Sequence, residues 1–234
     1  TLYAASEGLG AAPSPLHLSA VTGQALQPPH RPGPATATQQ GMIALHAGRY
    51  AQPTLRWLYF ASGLGGTAMI ATGLILWTVK RRAKLPDPTR PHLGFRLVER
   101  LNVAVIAGAP AGVAGYFLAN RLLPLDLAQR AEREIAGLFL VWGALVIWTA
   151  VRPLRRAWIE ALAAAAFLYA LVPLVSALTT ARGLVPSLVA GDWTFAGFDL
   201  VMLATAALLA VASWQVVIGS PGAVRRSRSV EAAA

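Results

Sequence analysis

From Trp57 to Val79 the chain carries no acidic or basic side chain, and about 20 apolar residues are enough to cross a bilayer core as a helix. A segment of that kind dictates the solvent for everything attached to it. Trp57 and Tyr59 stand at one end of the run and Trp77 at the other, where amphipathic rings settle at headgroup depth. Lys80, Arg81, Arg82 and Lys84 follow at once, a basic flank of the sort that marks the cytoplasmic end of a span. Over the whole chain 56% of residues are hydrophobic and 13% charged, whereas soluble domains carry about 25% charged residues. The protein is therefore integral to a membrane. Its net charge of +10 would suggest nucleic-acid binding in a soluble chain, but here the cations sit between apolar runs instead of along a stripe interleaved with aromatics. They read as a topology signal, and nucleic acid is not an expected partner. The absence of cysteine excludes disulfides, thiolate metal sites and thiol catalysis.

Four more apolar runs follow the first, so that spans are expected near 57–79, 101–118, 135–151, 159–178 and 195–218. The fold class predicted is an all-α membrane protein, a bundle of about five transmembrane helices preceded by a small extramembrane β-containing segment. In the second run Ala104, Gly108 and Gly112 recur at four-residue spacing, a groove that lets another helix approach, and Pro110 predicts a kink. The third and fourth runs are separated by little more than Arg152-Pro153, which predicts antiparallel neighbours. Residues 1–40 differ in kind. LHLSAVTGQAL reads as strand, turn at Thr22-Gly23 and strand, with Leu16 and Leu18 alternating against polar neighbours. The Pro-rich linker QPPHRPGPATATQQ is not expected to be helical through its prolines. A helical pattern resumes from Gln39 to Tyr50, with Met42, Ile43, Leu45 and His46 spaced for one face. The division expected is thus a periplasmic tail over 1–40 and a helical bundle over 41–234. Since the chain opens at Thr1 without Met, an N-terminal part of a longer protein is expected upstream.

Placing the N-terminal segment outside puts Lys80 to Lys84, Arg90, Arg96, Arg100, Arg152, Arg155, Arg156 and the tail arginines on the inner side, leaving mainly Arg121, Arg130, Arg133 and Arg182 outside. That distribution favours a periplasmic start and a cytoplasmic C-terminus. His46 then lies at the outer edge of the first span, and its imidazole is the leading candidate for a metal ligand; the plainer alternative is an interfacial histidine bonded to water or lipid. Arg49, three residues on, shares its face if the segment is helical. His92 falls in the inner basic loop, while His17 and His30 read as surface residues. Glu160 and Asp199 stand near helix starts and read as partners of the helix dipole. With no carboxylate at mid-membrane, a proton relay or small-solute permease has thin support. Trp142, Trp148 and Trp214 read as core or interface aromatics.

Three stretches carry a family resemblance. LHLSAVTGQAL is similar to the strand-turn-strand with a TG dipeptide found in PepSY domains; LHAGRYAQPTLRWLYFASGLGGTAMIATGLILWTVKRR is similar to an LHxGR-plus-span segment; and GFRLVERLNVAVIAGAPAGVAGYFLANRLLP is similar to the helix that follows it. On these the chain resembles the C-terminal part of a PepSY-associated transmembrane protein, a bacterial inner-membrane family linked to iron and siderophore uptake. The resemblance implies a haem-dependent electron-transfer enzyme that reduces a ferric siderophore on the periplasmic side, with haem b as cofactor. It further implies His46 as an axial ligand, Arg49 as partner of a haem propionate or anionic siderophore, and His92 at a second haem near the inner face. The family's upstream histidine-bearing helix is absent from this sequence. The competing expectation is a non-enzymatic scaffold, in which the PepSY part binds or inhibits a partner protein and the spans anchor it.

Overall fold

The computed structural model describes residues 2–3, 15–16, 22, 33–48 and 52–219, and the chain divides into two units, Thr1–Thr72 and Gly73–Ala234. In the first unit, β1 (Leu2–Tyr3) and β2 (Pro15–Leu16) pair antiparallel, with Leu2 opposite Leu16 and Tyr3 opposite Pro15. Two residues a side do not make a sheet that stands alone. The rest of the expected strand-turn-strand, apart from Thr22 in a turn, lies outside the described residues.

Helix α1 (Pro34–Ala47) corrects the boundary of the Pro-rich linker, since it begins inside that patch. Pro34 occupies the first turn, where its missing N–H has no intrahelical partner to lose and its fixed φ already suits a helix. The helix ends at Gly48 with φ 58°, a left-handed cap that glycine adopts without a Cβ clash. Met42, Ile43, Leu45 and His46 are all exposed, and Ala44 is the residue buried. Helix α2 (Pro53–Arg82) is longer than the expected span at both ends, because hydropathy marks the bilayer and not the end of helical dihedrals. Within it Thr67, Thr72 and Thr78 donate their hydroxyls to the carbonyls of Gly63, Ala68 and Leu74 at 2.9, 2.7 and 2.7 Å, so the helix satisfies its own polar atoms, as lipid requires.

The second unit takes in the end of α2 and every later helix. α3 (Leu93–Val103), a π-helix (Ala104–Gly108) and α4 (Ala109–Leu122) run on as one continuous rod. Its start corrects the inner loop, expected to reach Arg100: α3 begins at Leu93, and Phe95, Glu99, Asn102 and Val103 are buried on one face. Pro110 cannot donate to the ladder, and the wide turn before it absorbs the mismatch. α5 (Arg130–Val151) and α6 (Leu154–Thr179) are joined by Arg152-Pro153, as that short connection predicts. A short helix, α7 (Leu184–Val189), precedes α8 (Trp193–Ile218). Among the described residues five helices are long and apolar enough to cross a membrane: Thr54–Arg82, Leu93–Leu122, Arg130–Val151, Leu154–Thr179 and Trp193–Ile218.

Close backbone approach holds this unit together. A Cβ on Gly112 would stand 3.0 Å from the Leu138 carbonyl oxygen, and one on Gly115 would stand 2.7 Å from Val141, so α4 meets α5 through its small residues. On α6, Ala157, Ala161 and Ala165 recur every fourth position and are fully buried. Two apolar clusters result. Ala114, Leu118, Tyr169, Val172, Met202 and Ala206 join α4, α6 and α8, and Val103, Ala107, Ala157, Ala161 and Leu162 fill the other end.

Candidate functional site

His46 is exposed in the last turn of α1, just before the left-handed Gly48. Arg49 lies outside the described residues, as do His17 and His30. His92 is the N-cap of α3: its Nδ1 accepts the Phe95 N–H at 3.2 Å. A neutral ring that accepts at Nδ1 carries its proton on Nε2, so while it caps the helix His92 offers no lone pair to a metal. The sequence signal for this cap was the helical period of LGFRLVER, hidden by the surrounding prolines and charges. Among the described residues no group of three or more His, Cys, Asp or Glu could hold a metal ion.

The carboxylates sit differently from expectation. Glu160 is well inside α6; it accepts from Trp148 Nε1 at 2.7 Å and pairs with Arg152 at 3.1 Å, while the Arg152 guanidinium lies 4.1 Å from the centre of the Trp148 ring. It therefore ties α6 to the end of α5 and is not a dipole partner. Asp199 is likewise beyond the first turn of α8 and 2% exposed, and its Oδ2 has no hydrogen-bond partner among the described residues. Next to it in sequence, the Phe198 ring lies with its centre 5.6 Å from the Arg121 guanidinium. That arginine, expected in an outer loop, donates instead to Ser176 Oγ at 3.0 Å and Asn120 Oδ1 at 2.9 Å. Asn120 donates on to Glu134 at 3.1 Å, and Glu134 pairs with Arg130 at 3.1 Å. One polar network thus crosslinks α4, α5 and α6 at this end of the bundle.

The opposite end, where α2 finishes, holds cavities. Arg82 pairs with Glu99, 7% exposed, at 2.8 Å, and Asn102 donates to Thr78 Oγ1 at 2.6 Å. Above these two contacts α2, α3, α6 and α8 leave an apolar cavity of about 560 Å³, whose walls include Ile75, Val79, Ile106, Trp158 and Val216. Its lining contains no histidine, methionine or cysteine, so it offers no soft or imidazole ligand to an iron. Beside it lies a polar cavity of about 500 Å³ lined by Arg82, Arg90, Arg96 and Arg100 together with Thr89 and Glu99. Several arginines here are committed to helix ends. Arg100 donates to the carbonyls of Thr149 and Arg152, and Arg155 donates to those of Val216 and Val217 at 3.1 and 2.7 Å, which are orphan acceptors at the negative ends of α5 and α8. Arg90 and Arg96 make no side-chain bond among the described residues. In the adjoining loop the Thr89 hydroxyl and N–H both donate to Asp87, at 2.6 and 2.8 Å, and hold its carboxyl below the usual range.

These elements define a multi-pass α-helical membrane protein with polar crosslinks at each end of its bundle. Residues 3–80 match the family described as PepSY-associated TM region, a match that takes in the first and all but the last two residues of the second of the three stretches that carried the resemblance. The chain is also similar to an uncharacterized protein of Pseudomonas aeruginosa, PA4219, with 33% identity over 161 residues. That match covers 68% of this chain and 37% of the relative, so the chain spans little more than a third of the relative's length. No solved structure matches the chain.

Proposed function

We propose that the chain is the membrane part of a haem-dependent electron-transfer protein of the bacterial inner membrane, reducing ferric siderophore on the periplasmic side during iron uptake. The observation that carries this reading is His46, an exposed imidazole in the last turn of α1, within the PepSY-associated region and a few residues before a span. In this reading His46 supplies one axial nitrogen to a haem b, which when bound provides the one-electron chemistry. The residues present fit one half of such a site, because the second nitrogen has to come from outside the described residues. Arg49 is the proposed partner of a propionate or of the anionic chelate. His92, proposed from the sequence for a second haem, would have to give up its helix cap to serve. Basic residues flanking the spans support an orientation with α1 outside and the loop after α2 inside.

The test is spectroscopic and uses the full-length protein. The native protein should show a low-spin Soret band that ferric siderophore oxidises after reduction. His46→Ala should turn it high-spin or lose the haem, with the protein still inserted in membranes. An unchanged low-spin spectrum would falsify the ligand assignment. A colourless full-length protein that retains a partner through its periplasmic part would instead establish the scaffold reading.

A further inference from the structure

The two cavities at the end of the bundle where α2 finishes share Arg82, Glu99 and Leu154, so that a basic chamber opens beside an apolar one. We infer that together they bind one anionic phospholipid, its phosphate against Arg90 and Arg96 and an acyl chain in the groove between α2, α3, α6 and α8. This inference stands independently of the redox reading.

Charge comes first. The polar chamber is lined by four arginines and one glutamate, and that glutamate is already paired with Arg82. Arg100 gives its donors to backbone carbonyls, which do not cancel its charge. Arg90 and Arg96 have neither acid nor carbonyl. A phosphodiester would supply acceptors to both in the bidentate manner guanidinium favours, and basic pockets beside transmembrane helices are where anionic headgroups bind.

The groove explains why the ligand is a lipid and not a free anion. Arg82 is paired with Glu99 and Asn102 with Thr78, and apart from Gln215 and the Trp158 indole N–H the remaining walls are aliphatic or aromatic carbon, so the groove asks for hydrocarbon. At about 560 Å³ it falls within the roughly 300–1,000 Å³ that bound small molecules occupy. It is walled by spans and adjoins the basic chamber at their ends, which is the geometry of a lipid with its head at the interface and its tail along the helices.

Native mass spectrometry of the detergent-purified chain tests this with phosphatidylglycerol, phosphatidylcholine, short-chain phosphatidylglycerol and inorganic phosphate. One phosphatidylglycerol should be retained per chain, with about tenfold preference over phosphatidylcholine. The double variant Arg90→Gln, Arg96→Gln should lose that preference. Both side chains are exposed and unbonded, so thermal melting should be unchanged, and Arg90→Lys with Arg96→Lys should restore part of the binding. Ile75→Trp, which fills the groove from the face of α2, should lower retention of the long-chain lipid and leave the short-chain one unaffected. Equal retention of phosphatidylcholine would overturn the proposal. Displacement by millimolar inorganic phosphate with no effect of Ile75→Trp would overturn it equally, marking a soluble-anion site.

Discussion

Trp142 illustrates how a single side chain can tie one helix to the backbone of another. Its Nε1 donates to the Ala104 carbonyl at 2.8 Å, inside the wide turn that precedes Pro110, and its Cβ lies against Gly112. Trp142→Phe keeps most of the ring and removes the donor, so it should destabilise the protein in detergent by about 1 kcal/mol, read as a lower melting temperature. No change would mean that the carbonyl finds another donor. Trp142 was read in the sequence as a core or interface aromatic, but its bond was not legible, because its acceptor lies 38 positions away on another helix. Glu160 and Asp199 teach the same lesson. Each was conspicuous as an acid beside an apolar run, yet its role depends on where its helix begins. Hydropathy places spans, and α6 and α8 start earlier than their apolar stretches. The cap made by His92 was hidden for the converse reason, as a helix start disguised as a loop.

At the scale of elements, the glycine groove was legible at Gly108 and Gly112, though not at Gly115, where the approach is tightest. Gly108 and Gly112 face α5 as their spacing predicts, with Trp142 3.3 Å and 3.1 Å from the Cβ positions they lack. Gly112→Leu should therefore force α4 and α5 apart and lower stability sharply. Gly143→Leu, on α5 with nothing within 4 Å of its Cβ position, should gain part of the roughly 1 kcal/mol by which glycine disfavours a helix. Opposite shifts in melting temperature are the expected result, and equal shifts would count against the groove. The alanine seam of α6 went unread because a run of alanines shows no contrast between faces. The π-helix sets the phase between the two halves of its rod. Deleting one residue from Ala104–Gly108 would turn Glu99 and Asn102 by about 100° relative to the glycine face, and the groove would lose its polar floor.

For the whole molecule, the order of the spans and the antiparallel pairing of α5 with α6 could be read from the chain, because the length of apolar runs and of connections leaves little freedom. The polar networks could not, since their partners are tens of residues apart. The proposed orientation puts the loop after α2 on the cytoplasmic side and the loop after α4 on the periplasmic side. The chain has no cysteine, so Lys84→Cys and Leu125→Cys give single labels in those two loops. In intact cells an impermeant maleimide should reach Leu125→Cys alone, and labelling of Lys84→Cys alone would reverse the assignment. The arginine bonds at the ends of α5 and α8 also have a consequence in time. Arg155 reaches carbonyls some 61 positions further along the chain, and Arg100 reaches one 52 positions on, so neither bond can close until the later helix has been made. During synthesis each guanidinium is an unbound charge able to orient its segment; once the later helix arrives, the same group becomes a latch.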